Sequence, residues 1–173
     1  MKNINFPSIE EFTSAIGKDS ESPELKMIFS KLEITEKDLN RLTVKGYRVW
    51  SNGEAGLQLN LENIDFMNRL SRPRNKGPWI LTNIIFWNHL IKTKKKETML
   101  CYKEPLPYRL DFLMSREKVR ETLSAPLGNP KIFGLSDNVD LWVSETFELR
   151  VNYAGEKGIR CISLGIIVDR SVM

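Results

Sequence analysis

"DLWVSETFELRVNYAG" (140–155) sets a tryptophan, a short polar gap, and then apolar side chains at alternate positions. Leu149, Val151 and Tyr153 step by two, the period that lines one face of a β-strand. Much the same phrase occurs earlier as "RVWSNGEAGLQLNLEN" (48–63). Trp50 stands seven residues before Leu57, as Trp142 stands seven before Leu149. Leu59 and Leu61 then match Val151 and Tyr153, and Asn60 and Asn152 take the same outward slot. The Asn-Gly pair at 52–53 signals a hairpin in the first copy.

Ahead of the first copy, "FPSIEEFTSAIGK" (6–18) places Phe6, Ile9, Phe12 and Ile16 at helical spacing, with Gly17 as a stop. "SPELKMIFSKL" (22–32) offers Ser22 as N-cap and Pro23 at the first helical position, and Leu25, Ile28, Phe29 and Leu32 share a face. "TEKDLNRLTVKG" adds a turn or leads straight into the sheet. "WILTNIIFWNHLI" (79–91) reads as the third strand, and its broken alternation predicts burial on both faces or a bulge. In the second half, "LPYRLDFLMSREKVRETLSAPLGNP" (106–130) opens extended. It then places Ser115 before a helix with Val119 and Leu123 on one face, ending at "APLGNP". Three strands follow, the last two joined by the turn "YAGEKG".

Both halves therefore spell helix, strand, strand, strand, and an offset of 91–92 residues aligns the helices and the tryptophans. One helix and a small antiparallel sheet cannot bury both sheet faces, whereas two such units can, by joining sheets or by packing helices across them. The expected fold is α+β: a single domain over 1–173, made of two tandem helix-plus-antiparallel-sheet units at about 20–100 and 101–170, with an N-terminal helix in front.

Composition fits a soluble globular chain: 173 residues, 41% hydrophobic and 28% charged. The N-terminus lacks the apolar run of a secretory signal, and no stretch approaches the roughly 18 apolar residues of a membrane span. Two cysteines, Cys101 and Cys161, with no Cys/His cluster, point to buried thiols in a reducing cytoplasm and to no metal site. Charge is uneven. Residues 1–66 carry 8 basic and 11 acidic side chains, residues 67–122 carry 13 and 5, and residues 123–173 carry 5 and 6. The basic middle holds "RLSRPRNK" (69–76) and "KTKKK" (92–96), which suit an acidic partner, nucleic acid, or merely a solvated loop and hairpin tip.

Catalysis needs titrating or nucleophilic groups held by partners. The single histidine, His89, sits near the end of an apolar strand, and no nucleophile elbow, phosphate loop, zinc-protease or dinucleotide motif occurs. The reading is therefore no enzyme, no catalytic residue, no metal and no cofactor; a small enzyme built on Cys101 and His89 is the rival. Trp79, Phe86 and Trp87 lie near the lysine run, the combination a single-strand nucleic-acid binder uses. Two of the three are expected in the core, so nucleic acid is the lesser expectation.

The second half carries a resemblance. A "LP-x-x-L-x-F" strand, "S-x-x-x-V" opening a helix, a "D-x-W" strand and an "L-x-V-x-Y…G-x-I…I-x-L" hairpin are similar to the SmpA/OmlA-like and β-lactamase-inhibitor-like fold. In the inhibitor family that unit occurs twice. Signal-less proteins with this duplicated layout are familiar as immunity proteins beside bacterial polymorphic toxins and contact-dependent inhibition systems. The spacing departs at "SAPLGNP", where two extra residues separate Leu123 from the glycine. The motif positions Leu106, Leu110, Phe112, Val119, Leu123, Trp142, Leu149, Val151 and Tyr153 are core or turn-side, and the family supplies no catalytic residue. The resemblance implies a cytoplasmic monomer that neutralises a cognate toxin domain by forming a one-to-one complex, away from membranes. Arg72, Arg74, Trp87, Lys94, Lys95 and Lys96 are the candidate toxin-binding residues, and a nucleic-acid-binding module using the basic 69–96 segment is the alternative.

Overall fold

The structure, a computed structural model, describes residues 5–40, 43–44, 46–68, 78–88, 101–131 and 138–169. Three helices, α1 (Ile9–Ala15), α2 (Pro23–Lys31) and α3 (Glu36–Asn40), precede β1 (Thr43–Val44), β2 (Tyr47–Asn52) and β3 (Leu57–Asn63). A short α4 (Ile64–Met67) and β4 (Trp79–Trp87) follow, then α5 (Arg116–Leu127), β5 (Val139–Val143), β6 (Glu148–Tyr153) and β7 (Ile159–Gly165). The class is α+β.

Helix ends follow local chemistry. Ser8 and Glu11 form a reciprocal capping box at α1. Ser22 accepts from the Leu25 N–H with Pro23 in the first turn of α2, and Ser115 accepts from the Lys118 N–H at α5. The "TEKDLN" stretch does add a turn, as α3.

All seven strands form one antiparallel sheet in the order β1-β2-β3-β4-β7-β6-β5. The meanders β2-β3-β4, extended at its edge by the two-residue β1, and β5-β6-β7 thus meet along their last strands, with Asn83 opposite Gly165 and Trp87 opposite Cys161. The N-terminal half of β4 is flanked instead by residues 17–20. The Gly17 N–H donates to the Leu81 carbonyl, the Leu81 N–H to Lys18, and the Ser20 N–H to Trp79. The irregular alternation of this strand has a structural cause: the pairing slips at Asn60/Leu61, leaving Thr82 as the extra residue.

One sheet face carries the core. Leu57, Leu59 and Leu61 of β3, Ile84 and Phe86 of β4, and Leu149 and Val151 of β6 have no exposed surface. They pack with Phe12 of α1, Leu25 and Ile28 of α2, and Val119 and Leu123 of α5 in a single cluster. Phe12 meets Phe86 edge-on at 5.7 Å. Each fully buried Leu or Phe contributes about 1.5–3 kcal/mol of transfer free energy. All nine motif positions of the second half are buried, whereas Trp50 is half-buried at the core's margin.

Two expectations change. "LPYRL" is not extended: Pro107–Arg109 makes a 3-10 turn, with Tyr108 and Arg109 both left-handed at φ 54° and 57°. This segment lies outside the sheet, because β4 already pairs with β3 and β7, so its backbone closes local hydrogen bonds instead. The two hairpins also differ in pairing. Trp50 stands opposite Leu59, while Trp142 stands opposite Leu149, two residues short of the counterpart Val151.

Asp140 ties α5 to the sheet. Inward-facing on β5 and without exposed surface, its carboxylate receives Arg116 at 2.6 and 3.1 Å, Arg120 at 2.8 Å twice, and the Tyr153 hydroxyl at 3.2 Å. Arg116 and Arg120 are four residues apart, one helical turn, so both reach down from one face of α5.

Candidate functional site on the outer face of the sheet

The register dictates what the opposite face presents. Because Leu57, Leu59 and Leu61 point into the core, Gln58, Asn60 and Glu62 point out. Cross-strand pairing then aligns rows of outward side chains. Asn60, Asn83, Gly165 and Glu148 form one row across β3, β4, β7 and β6. Gln58, Ile85, Ser163 and Arg150 form the next, and Tyr47, Glu62 and Ile80 flank the first on its other side.

A hollow of about 260 Å³ opens where these rows meet, lined by Tyr47, Asn60, Glu62, Asn83 and Ser163 among others. Gly165 supplies the dip in the middle of the row. A Cβ there would stand 3.4 Å from the Thr82 carbonyl and 3.6 Å from Asn83 Oδ1. The segment after β7 forms part of the rim: the Ile166 N–H donates to the Thr82 carbonyl, and the Val168 N–H donates to Glu148.

Two carboxylates serve this hollow in different states. Glu148 is buried and accepts from Arg150 at 3.3 Å and from the Val168 N–H at 3.0 Å. Glu62 is half-buried and accepts from the Thr82 hydroxyl at 3.3 Å. Burial pushes its carboxyl above the ordinary range, and the Thr82 hydrogen bond offsets only part of that. Tyr47 stands directly across from Glu62, its ring tilted against Phe66 at 4.6 Å. Burial and the Glu62 charge both push its hydroxyl upward. The Asn60 side-chain carbonyl accepts from Gln58. The arrangement offers acceptors, an aromatic ring and a carboxylate short of positive charge. It can hold a cationic or hydrogen-bond-donating group, and it presents no nucleophile paired to a base.

A larger cleft, about 800 Å³, lies between the start of α1 and the 102–109 segment. Phe6, Tyr102, Tyr108 and Phe147 wall it, and the Lys31–Glu11 pair at 2.6 Å stands at its side. The Tyr102 hydroxyl is buried with no hydrogen-bond partner.

Of the residues the sequence singles out for binding, Arg72, Arg74, Lys94, Lys95 and Lys96 lie outside the described residues, as does His89. Trp87 is half-buried on the outer face at the end of β4, opposite Cys161. The two basic segments leave the described chain at opposite ends of that strand. The first is bounded by Asn68 and Pro78, beside Trp79; the second is bounded by Asn88 and Cys101, where the Tyr102 N–H donates to the Trp87 carbonyl. Nine residues of strand, about 26 Å, separate these roots. Trp79 and Phe86 are in the core, as two of the three aromatics were expected to be. Burial pushes the thiol of Cys161 up to about 11 and that of Cys101 in the same direction, opposite to an activated nucleophile. Among the described residues, no group of three His, Cys, Asp or Glu is placed to hold a metal ion, and no helix is long and apolar enough to cross a membrane.

The outer-face set of Tyr47, Asn60, Glu62, Asn83 and Ser163 went unremarked in the sequence. The alternation in "LQLNLEN" puts Gln58, Asn60 and Glu62 on one polar face, which was the available signal. Their convergence with Asn83 and Ser163 depends on pairings across the sheet. Comparison with family models, with curated proteins and with solved structures returns no match for this chain, so the resemblance of its second half rests on the motifs themselves.

Proposed function

We propose that this chain is a cytoplasmic bacterial immunity protein that neutralises a cognate toxin domain by stoichiometric blockade, as a monomer in a one-to-one complex. The observation that carries the reading is the division of labour between the two sheet faces. Helices and core occupy one face, while the other presents half-buried polar and apolar side chains around a hollow. A standard protein interface buries about 800 Å² per partner, and such blockade requires no chemistry of its own. The two meanders, each preceded by a helix, also support descent from a duplicated unit spanning about 20–100 and 101–170, as the motifs imply. The two-residue difference in hairpin pairing then reflects divergence after duplication.

The neighbouring reading frame supplies the test. Expressed alone, the C-terminal domain encoded immediately upstream should arrest growth; co-expression of this chain should restore growth, and the two should purify together in equal amounts. A harmless neighbour, or a lethal one that this chain leaves lethal, overturns the reading.

A further inference from the structure

The hollow on the outer face has a size and a charge that narrow what enters it. At about 260 Å³ it is smaller than the roughly 300–1,000 Å³ typical of small-molecule sites, and it fits the end of one long side chain. Its two carboxylates are not equivalent. Arg150 and the Val168 amide serve Glu148, whereas a threonine hydroxyl serves Glu62. Arg150 lines the same hollow, and its guanidinium donates to Glu148 at 3.3 Å. Glu148 thus offsets the Arg150 charge within the hollow, and among the described residues the side-chain donor to Glu62 is the neutral Thr82 hydroxyl.

Resting on the reading above that the partner is a protein, we infer that this hollow receives the guanidinium of a partner arginine, with Glu62 as its carboxylate and Tyr47 as its aromatic wall. Tyr47 and Glu62 are cross-strand neighbours on the same face, so a planar cation can stack on the ring while its N–H groups reach the carboxylate. The amide of Asn83 and the hydroxyl of Ser163 lie at the same hollow for the remaining donors. A guanidinium carries five donors in a fixed fork and sheds water more readily than an ammonium, which is why arginine fits this lining better than lysine. Gly165 keeps the floor low enough for entry. The burial that pushes the Glu62 carboxyl upward in the free protein is a penalty that an incoming cation relieves. The partner surface is thus basic at this point, in keeping with the acidic balance of residues 1–66.

The probe is the peptide acetyl-Gly-Arg-Gly-amide titrated into the full chain by NMR, beside its lysine and citrulline counterparts. Amide shifts should move at Tyr47, Asn60, Glu62, Asn83 and Gly165, with arginine binding about fivefold tighter than lysine and citrulline not binding. Glu62→Gln, which keeps the side chain's shape, should weaken the arginine peptide about tenfold, and Glu62→Asp should weaken it less. Equal binding of citrulline, shifts elsewhere only, or indifference to Glu62→Gln overturns the inference. Binding seen only in an Arg170→Gln chain would identify the occupant as the chain's own C-terminal arginine and overturn it as well. The two proposals fail separately. A neighbouring toxin still neutralised by the Glu62→Gln chain with unchanged affinity removes the arginine site and leaves the immunity reading standing, whereas peptide binding at the hollow beside a harmless neighbour does the reverse.

Discussion

Asp140 and Arg120 face each other across the joint between β5 and α5, with two hydrogen bonds of 2.8 Å between carboxylate and guanidinium. Arg116 makes the same kind of paired contact one helical turn earlier, so one buried anion holds two cations. The anion is the member without water, and the arginines keep partial access to solvent. Removing the carboxylate therefore costs more than removing either arginine. Asp140→Ala should lower stability by about 3 kcal/mol in urea unfolding, and Arg120→Ala by about 1 kcal/mol because Arg116 remains. Equal losses for the two variants would show that the carboxylate is not the centre of the joint.

The same residue sets an acid limit. Burial works to raise the Asp140 carboxyl, but hydrogen bonds from Arg120 and Arg116 outweigh it and hold the group at about 2, below its ordinary 3.8. A folded-state value below the unfolded one means that the ionised form stabilises the fold above 3.8. That contribution is lost as pH falls from about 4 toward 2. Melting temperature followed from pH 6 to pH 2 should fall most steeply there, and Asp140→Asn should flatten that limb; an unchanged slope contradicts the assignment.

Gly158 enters β7 at φ 85°, and a Cβ there would lie 2.5 Å from the Phe112 carbonyl oxygen. That oxygen also accepts the Ile159 N–H at 2.9 Å, so the 112 turn cannot withdraw without breaking the bond. Gly158→Ala should destabilise by about 3 kcal/mol, from the left-handed backbone and the displaced turn together. Gly128→Ala, at φ 74° with open space around it, should cost only about 1 kcal/mol. Comparable urea midpoints for the two variants would refute the close approach.

Tyr102 buries a hydroxyl that no group meets, while its ring packs on Phe86 at 4.8 Å and Phe6 at 5.9 Å. Tyr102→Phe keeps those ring contacts and removes the unpaired oxygen. It should raise stability by about 1 kcal/mol, against the usual direction of core substitutions. A loss of similar size in thermal unfolding would mean that the hydroxyl is satisfied in solution.

Much of the local structure was legible in the residues. Ser22 before Pro23 and Ser115 three residues before Lys118 mark helix starts because a hydroxyl answers an amide that the first turn leaves open. The step of two in "LQLNLEN" and "ELRVNY" marked which of their side chains point inward, and the nine core positions that the resemblance implied for the second half are all buried. The left-handed pair Tyr108 and Arg109 was not legible, because neither residue type favours that backbone and its stability comes from burying Leu106 and Leu110 on either side. Asp140 lies two residues before Trp142 and shares its face of β5, but nothing local announces that two arginines of α5 reach it. Of the candidate binding residues, Trp87 alone falls where the structure speaks, at the end of β4 remote from the hollow's Glu62 row.

The chain by itself determined where α2 and α5 start and which side of β3 and β6 is apolar, because caps and alternation act within a few residues. Tertiary structure alone decided that β4 and β7 lie together, that residues 17–20 complete the flank of β4, and that Glu62, Asn83 and Ser163 share one hollow. Those choices join residues far apart in the chain. A period of two says which face a side chain takes and is silent about the strand beside it, since any register that preserves the faces satisfies the pattern equally well.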